Sequence, residues 1–125
     1  RAGRWVICDR FTDATYAYQG GGRGVPTVQI RELEAMVQGA LRPDLTVLLD
    51  APVAHALARA RTRNAGAAAD RFEREKSEFF ERVRDAYLAR AAAEPTRIAV
   101  LDATRSVDEI GAGILALLGA RAWIS

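Results

Sequence analysis

The sequence predicts an α/β fold built on a parallel sheet. Three short apolar runs, Trp5 to Cys8, Leu45 to Leu49 and Ile98 to Leu101, each end directly on an aspartate (Asp9, Asp50, Asp102). Their hydrophobicity is continuous rather than alternating, as in strands buried on both faces. Helical patterns fill the intervals, so right-handed crossovers are expected to join the strands.

Trp5 to Cys8 is the first predicted strand, and Cys8, flanked by apolar residues, is expected to pack within the sheet. Asp9-Arg10-Phe11 follows at its carboxyl end, where parallel sheets present ligand-binding groups. Thr15, Tyr18 and Gln19 fall on or near one face of a helical turn, and Gly20-Gly21-Gly22-Arg23-Gly24 reads as a glycine-rich loop. Thr27, after Pro26, is the expected N-cap of a helix burying Ile30, Leu33, Val37 and Leu41. Arg42-Pro43-Asp44 punctuates the step from that helix to the second strand. Pro52 marks the next helix start, running through Val53, Leu57 and Ala60. Asn64-Ala65-Gly66-Ala67-Ala68-Ala69 is the candidate flexible segment. Phe72, Phe79, Phe80, Val83 and Tyr87 form the apolar stripe of a longer helix. Ser106-Val107-Asp108-Glu109 is a capping box, followed by Ile110, Ile114, Leu117 and Leu118 as the buried face of the last helix.

Half of the 125 residues are hydrophobic and 27% are charged, a globular composition sized for one domain at most. The single cysteine excludes an internal disulfide and suits a reducing cytoplasm. No apolar run approaches the ~20 residues that cross a bilayer, and no signal peptide is visible, so no membrane partner is expected. The formal charge is only +2 and no basic stripe is present, which weighs against a nucleic-acid partner. Lys76 is the sole lysine; the other cations are arginines, the better bidentate phosphate ligands. Compositional bias explains much of that abundance, since the chain is equally heavy in alanine.

Particular residues carry more. An arginine just past a parallel strand can fork onto a phosphate while the adjacent aspartate fixes the loop. The plainer reading of Asp9-Arg10 is a strand-ending acid beside a solvated arginine. Thr15, Tyr18 and Gln19 offer a hydroxyl, a ring and an amide side by side, enough to bond a base edge while the aromatic packs on a sugar; the alternative is an ordinary amphipathic turn. Arg59, Arg61 and Arg63 precede the small glycine-containing segment, so a mobile loop could swing them over bound phosphates. Their alternative is a solvated helix face. His55, the only histidine, has no second ligand type around it and is expected at the surface, neither a base nor a metal site. Trp123 is either a contact residue or part of an ordered tail.

Asp9-Arg10-Phe11 with Tyr18-Gln19-Gly20-Gly21-Gly22-Arg23-Gly24 resembles the thymidylate-binding block of bacterial thymidylate kinases. Arg42-Pro43-Asp44-Leu45-Thr46 with Leu49-Asp50 is similar to that family's next strand. Asp70-Arg71-Phe72-Glu73 resembles the end of its lid, and Leu101-Asp102-Ala103-Thr104 its last strand and loop. The matches run in order from residue 5 to about residue 118.

The resemblance implies a parallel-sheet P-loop nucleoside monophosphate kinase fold without its first strands: residues 1–125 would form the C-terminal part of one domain, with a lid at about 61–73. It implies transfer of the γ-phosphoryl of ATP, with Mg2+, to dTMP, giving dTDP and ADP, by a cytoplasmic homodimer. Arg10 would grip the phosphate of dTMP, with Asp9 supporting the loop and Phe11 beside it. Thr15 would meet the thymine edge, with Gln19 close by. Tyr18 would pack under the deoxyribose, where a 2′-hydroxyl would crowd it. Ala14 stands where the family often has serine, which removes one polar contact. Glu73 would face the sugar or help organise the magnesium shell. Arg61 and Arg63 would stabilise the moving phosphoryl charge, and Arg59 would border the adenine with the backbone of Ala103 and Thr104. Arg71 would be a lid phosphate ligand or a partner for Glu75. Two other readings stay open: a kinase for another nucleoside monophosphate, and a non-catalytic nucleotide-binding or assembly fragment.

No Gly-x-x-x-x-Gly-Lys-[Ser/Thr] loop appears, and the chain starts without methionine directly at a predicted strand, so it reads as a fragment of a longer protein. In the family's sheet the first strand lies between the third, matched here by the run from Trp5, and the fourth, matched by the run from Leu45. Its absence would leave two unpaired strand edges, each lost ladder bond costing ~1–3 kcal/mol where its partner stays buried. Residues outside the chain, another copy or a rearrangement would have to compensate. The same missing unit would carry the lysine and hydroxyl for the β/γ-phosphates and magnesium. The 125-residue chain by itself is therefore expected to show no kinase activity; chromatographic detection of ATP-dependent dTDP formation by the purified chain would refute this.

Overall fold

The structure, a computed structural model, describes residues 3–63 and 70–124; the side chains of residues 60–63 and 70–75 lie outside that description. Phe11 is extended, and Thr12 opens a short helix, α1 (Thr12–Thr15), which widens at once into a π-helical segment (Tyr16–Gly22). After a turn through Gly24 (φ +75), Pro26 is the N-cap of α2 (Thr27–Val37). Strand β1 (Thr46–Asp50) leads through Pro52 into α3 (Val53–Arg63), and α4 (Asp70–Ala93) is the longest element. Strand β2 (Ile98–Asp102) and α5 (Val107–Ala120) complete the order. The expected capping box on α5 is present: the Glu109 amide donates to Ser106 Oγ and the Ser106 amide donates to the Glu109 carboxylate.

The sheet among the described residues has two strands. β1 and β2 run parallel, in register from Thr46 opposite Ile98 to Asp50 opposite Asp102. The expected first strand, Trp5 to Cys8, does not form. Val6 and Ile7 are 86% and 95% exposed, and Cys8 is exposed rather than packed in a sheet. Among the described residues no strand lies beside this run to supply ladder partners, and Val6 and Ile7 find no face to bury against. Trp5 instead meets Trp123 edge-to-face at 5.8 Å, which makes Trp123 a contact residue. The same lack of neighbours leaves the two real strands half-buried, with Leu49 and Val100 about half exposed, where burial on both faces was expected.

Two helical expectations also change. Thr27 does not cap α2; Pro26 occupies the N-cap and no side chain bonds the first turn. Of the predicted inward stripe only Ile30 is buried; Leu33 and Val37 of α2 are exposed, as is Leu41, which lies beyond the end of that helix. The inward row is Ile30, Glu34 and Gln38, spaced four apart, and its last two members are polar because they bond the α1 region. The Tyr16 hydroxyl donates to Glu34 Oε2 at 2.6 Å, and Thr12 and Gln38 share a side-chain hydrogen bond.

The glycine tract is not a loop. Gly20, Gly21 and Gly22 lie in the π-helix, which packs along α4 more closely than any larger residue would allow. A Cβ on Gly21 would fall 2.5 Å from Ala86 Cβ and 2.8 Å from the Arg82 carbonyl oxygen; one on Gly22 would fall 2.5 Å from Phe79 Cε2. Ala17, Ile30 and Val83 are among the few deeply buried side chains in the molecule. The predicted α4 stripe of Phe79, Phe80, Val83 and Tyr87 is at least half-buried, and its Phe72 lies outside the described side chains.

Asp13 is the one buried charged side chain among the described residues, 5% exposed. Arg97 grips both of its oxygens at 2.8 and 2.9 Å, Arg90 adds a contact at 2.7 Å, and the Thr46 hydroxyl donates at 3.1 Å. Burial alone would push this carboxyl up, but hydrogen bonds from Arg97 and Arg90 and their charges bring it down to about 2. Glu94 pairs with the same two arginines, and Arg90 also lies over the Tyr16 ring at 4.0 Å.

Two outcomes follow for stability. Gly21→Ala should destabilise the chain by at least ~1–3 kcal/mol, read as a lower urea midpoint, because a backbone oxygen rather than a flexible side chain stands in the way. Asp13 has a folded pKa below its ordinary 3.8, so its contribution is complete above that value and lost as pH falls through about 2. Between pH 2 and pH 5 the wild type should gain about 2 kcal/mol more stability than Asp13→Asn, measured by urea titration at each pH.

Candidate functional site

Arg10 takes the left-handed backbone conformation, with φ +61, immediately before α1. A branched or long side chain there costs roughly 1–2 kcal/mol, so the turn is held by what surrounds it. Its guanidinium carbon stands 5.2 Å from the centre of the Tyr18 ring, within cation–π range. Tyr18 comes from the π-helix, whose wider turn sets its ring against α4. There it meets Phe79 at 6.2 Å, tilted by 58°, and Tyr87 at 6.4 Å, nearly perpendicular at 85°. Burial pushes the Tyr87 phenol up, reinforced by Tyr18 and partly offset by the positive Arg10. The adjacent Gln19 accepts a hydrogen bond from Arg23 through its Oε1 at 2.9 Å, and its NH2 makes no hydrogen bond among the described residues.

A second cluster gathers at the carboxyl ends of the two strands. Asp50 receives a bidentate pair from Arg84 of α4, at 2.7 and 2.9 Å, which with its charge holds that carboxyl below the usual range against the opposing effect of burial. Asp102 accepts from both the amide and the hydroxyl of Thr104, closing the turn after β2. The Ala103 amide donates to the Asp50 carbonyl across the sheet at 2.7 Å, and Arg59 of α3 reaches the Ala103 carbonyl at 3.4 Å. This is the sheet edge at which open α/β folds bind their ligands.

A sequence model described as Thymidylate kinase matches residues 1–114. The chain belongs to the thymidylate kinase family. A thymidylate kinase of Chromohalobacter salexigens is 58% identical over 119 residues, covering 95% of this chain and 55% of the relative. One from Cupriavidus necator is 59% identical over 109 residues, covering 86% and 52%. The crystal structure of thymidylate kinase from Ehrlichia chaffeensis superposes with a TM-score of 0.65 at 27% identity, over 90% of this chain and 48% of that one. The chain thus spans about half the length of the relatives it matches, and its parallel α/β architecture is a part of the P-loop kinase fold of this thymidylate kinase family.

The structure brings together two of the sequence-predicted pairs: Arg10 with Tyr18, and Arg59 with the Ala103-Thr104 turn. Phe11 is half-buried, and Asp9 and Thr15 are exposed, with no side-chain hydrogen bond or ion pair among the described residues. Gln19 is engaged with Arg23. Arg61, Arg63, Arg71 and Glu73, the predicted lid residues, have side chains outside the described set. His55 is exposed, as expected. Sequence reasoning missed the Asp13 cluster, the Asp50–Arg84 pair and the place of Tyr87 beside Tyr18. Asp50 carried a signal, as one of three strand-ending aspartates. Asp13 carried none, since its arginines lie 77 and 84 positions away.

Proposed function

We propose that this chain carries the acceptor-binding and lid half of a dTMP kinase, which moves the γ-phosphoryl of ATP onto dTMP in the cytoplasm. The reading rests above all on Arg10, whose guanidinium is held over the Tyr18 ring from a strained turn. A planar cation beside an aromatic shelf suits a nucleotide monophosphate: the fork takes the phosphate and the ring takes the sugar. Thr15 and the amide of Gln19 would then read the pyrimidine edge, with Asp9 and Phe11 shaping the turn and Glu73 near the sugar. Arg59 with the Ala103 and Thr104 backbone would border the adenine of ATP.

In the transfer, an oxygen of the dTMP phosphate bonds to the γ-phosphorus as the bond to ADP breaks. The protein contributes alignment and charge, with no covalent intermediate. Arg10 orients the acceptor, and Arg61 or Arg63 would supply positive charge to the moving group, a role worth ~10³–10⁵ in rate. Magnesium, when bound with ATP, would neutralise the β- and γ-oxygens. Among the described residues no group of three His, Cys, Asp or Glu side chains could hold that ion; the side chain of Glu73 lies outside them. Pairing of two copies is part of the reading. It is supported by α2, whose Leu33, Met36 and Val37 are 59–84% exposed.

Arg10→Ala in the full-length protein tests the reading. Loss of a charged hydrogen bond worth about 1.5–3 kcal/mol should raise the KM for dTMP roughly ten- to a hundredfold, with the KM for ATP little changed. Competition among dTMP, dUMP, dGMP and UMP in the same assay distinguishes a thymidylate enzyme from one for another nucleoside monophosphate. An unchanged KM for dTMP in Arg10→Ala overturns the proposal.

A further inference from the structure

Tyr87, on the middle of α4, stands outside every role assigned so far, yet it touches the acceptor site. Its ring meets Tyr18 edge-on at 6.4 Å and 85°, and Phe79, two turns earlier on the same helix, meets Tyr18 from another side at 6.2 Å. Arg10 lies over Tyr18 at 5.2 Å. The π-helix that carries Tyr18 is pressed onto α4 at Gly21 and Gly22, so the backbone between the two rings has no room to shift. The Tyr87 phenol makes no hydrogen bond among the described residues; its ring is what engages Tyr18.

From this arrangement we infer that Tyr87 is a positioning residue for the acceptor nucleotide: its ring, nearly perpendicular to Tyr18, fixes the plane of Tyr18 and, through that plane, the place of the Arg10 guanidinium. Arg10 emerges from an exposed turn in an unfavourable backbone conformation, and no hydrogen bond or ion pair among the described residues anchors its side chain. Among the described residues its side chain rests on the face of Tyr18, and the angle of that face is set by Tyr87 and Phe79. A tilted Tyr18 would carry the guanidinium off the phosphate position without removing either functional side chain. This inference rests on the acceptor site proposed above.

The test compares Tyr87→Phe, Tyr87→Leu and Tyr87→Ala in the full-length protein, with two readouts. The first is the chemical shift of the Arg10 side-chain Nε–Hε proton, moved upfield by the Tyr18 ring face, measured without ligand. The second is the separate kcat and KM for dTMP. Tyr87→Leu and Tyr87→Ala should lose the upfield shift and raise KM about two- to tenfold, the worth of one oriented ring pair, while kcat stays within a factor of two. Tyr87→Phe, which keeps the ring, should restore both. Tyr87→Leu keeps most of the volume, so it reports even if Tyr87→Ala does not fold. The inference is overturned if Tyr87→Phe behaves like Tyr87→Leu, or if Tyr87→Leu leaves the Arg10 shift in place. If the shift responds as expected while dTMP neither binds nor reacts in the wild type, the positioning stands and the kinase reading is what fails.

Discussion

The buried carboxylate of Asp13 is the constraint around which the chain is arranged. It lies in α1, yet its partners come from the end of α4, from the segment entering β2 and from the first residue of β1. A carboxylate this deeply buried is costly to desolvate, and only several short, charge-assisted bonds offset that cost. Geometry follows from the requirement. Arg97 must present both of its donors, which fixes the residue before β2; Thr46 must stand within reach, which fixes where β1 begins. The strand register, Thr46 opposite Ile98, is the same fact seen from the sheet. Tyr16 and Glu34 extend the network to α2, so four elements that lack a large apolar core are joined by directional bonds instead.

Helix α4 then divides its circumference between two tasks. One face, Phe79, Val83, Ala86 and Tyr87, receives the π-helix, while Arg84, one position from Val83, turns to the strand end and pairs with Asp50. Successive positions on a helix point about 100° apart, so neighbouring residues can serve separate clusters. The acceptor-side residues and the strand-end residues are in this way held to a single rigid rod. A displacement of α4 would move both clusters together.

Local chemistry was legible in the sequence, and partnership across the chain was not. The capping box at Ser106, the helix start at Pro52, the two strands ending on Asp50 and Asp102, and the apolar stripe of α4 all follow from spacing and residue type. The resemblance to the family's motifs named Arg10 and Tyr18 for one site, and the structure sets that guanidinium 5.2 Å from that ring. The failures share a cause. Trp5 to Cys8 has the composition of a buried strand, but a strand exists only where a neighbour offers donors and acceptors, and composition cannot supply one. The α2 stripe was misassigned because Glu34 and Gln38, polar by type, face inward to bond Tyr16 and Thr12. Asp13 looked like an ordinary acid in a first helical turn, since nothing near it announces Arg90 or Arg97.

The glycine tract shows how a misread element can still mark the right place. Glycines after a strand and beside an arginine suggest a loop moulded to phosphate, whereas here they thin the π-helix so that it can lie against the Arg82 carbonyl and the Phe79 ring. A π-helix spreads one turn over more residues and is a locally weaker arrangement than the α-helix, so it persists only where tertiary packing holds it. That packing is the close approach the glycines permit. The consequence is the placement of the second of the two rings between α1 and the glycines: Tyr18 is carried to the aromatic wall of α4 with its face toward Arg10. The glycines thus act on the Arg10–Tyr18 pair at one remove, through the backbone they allow.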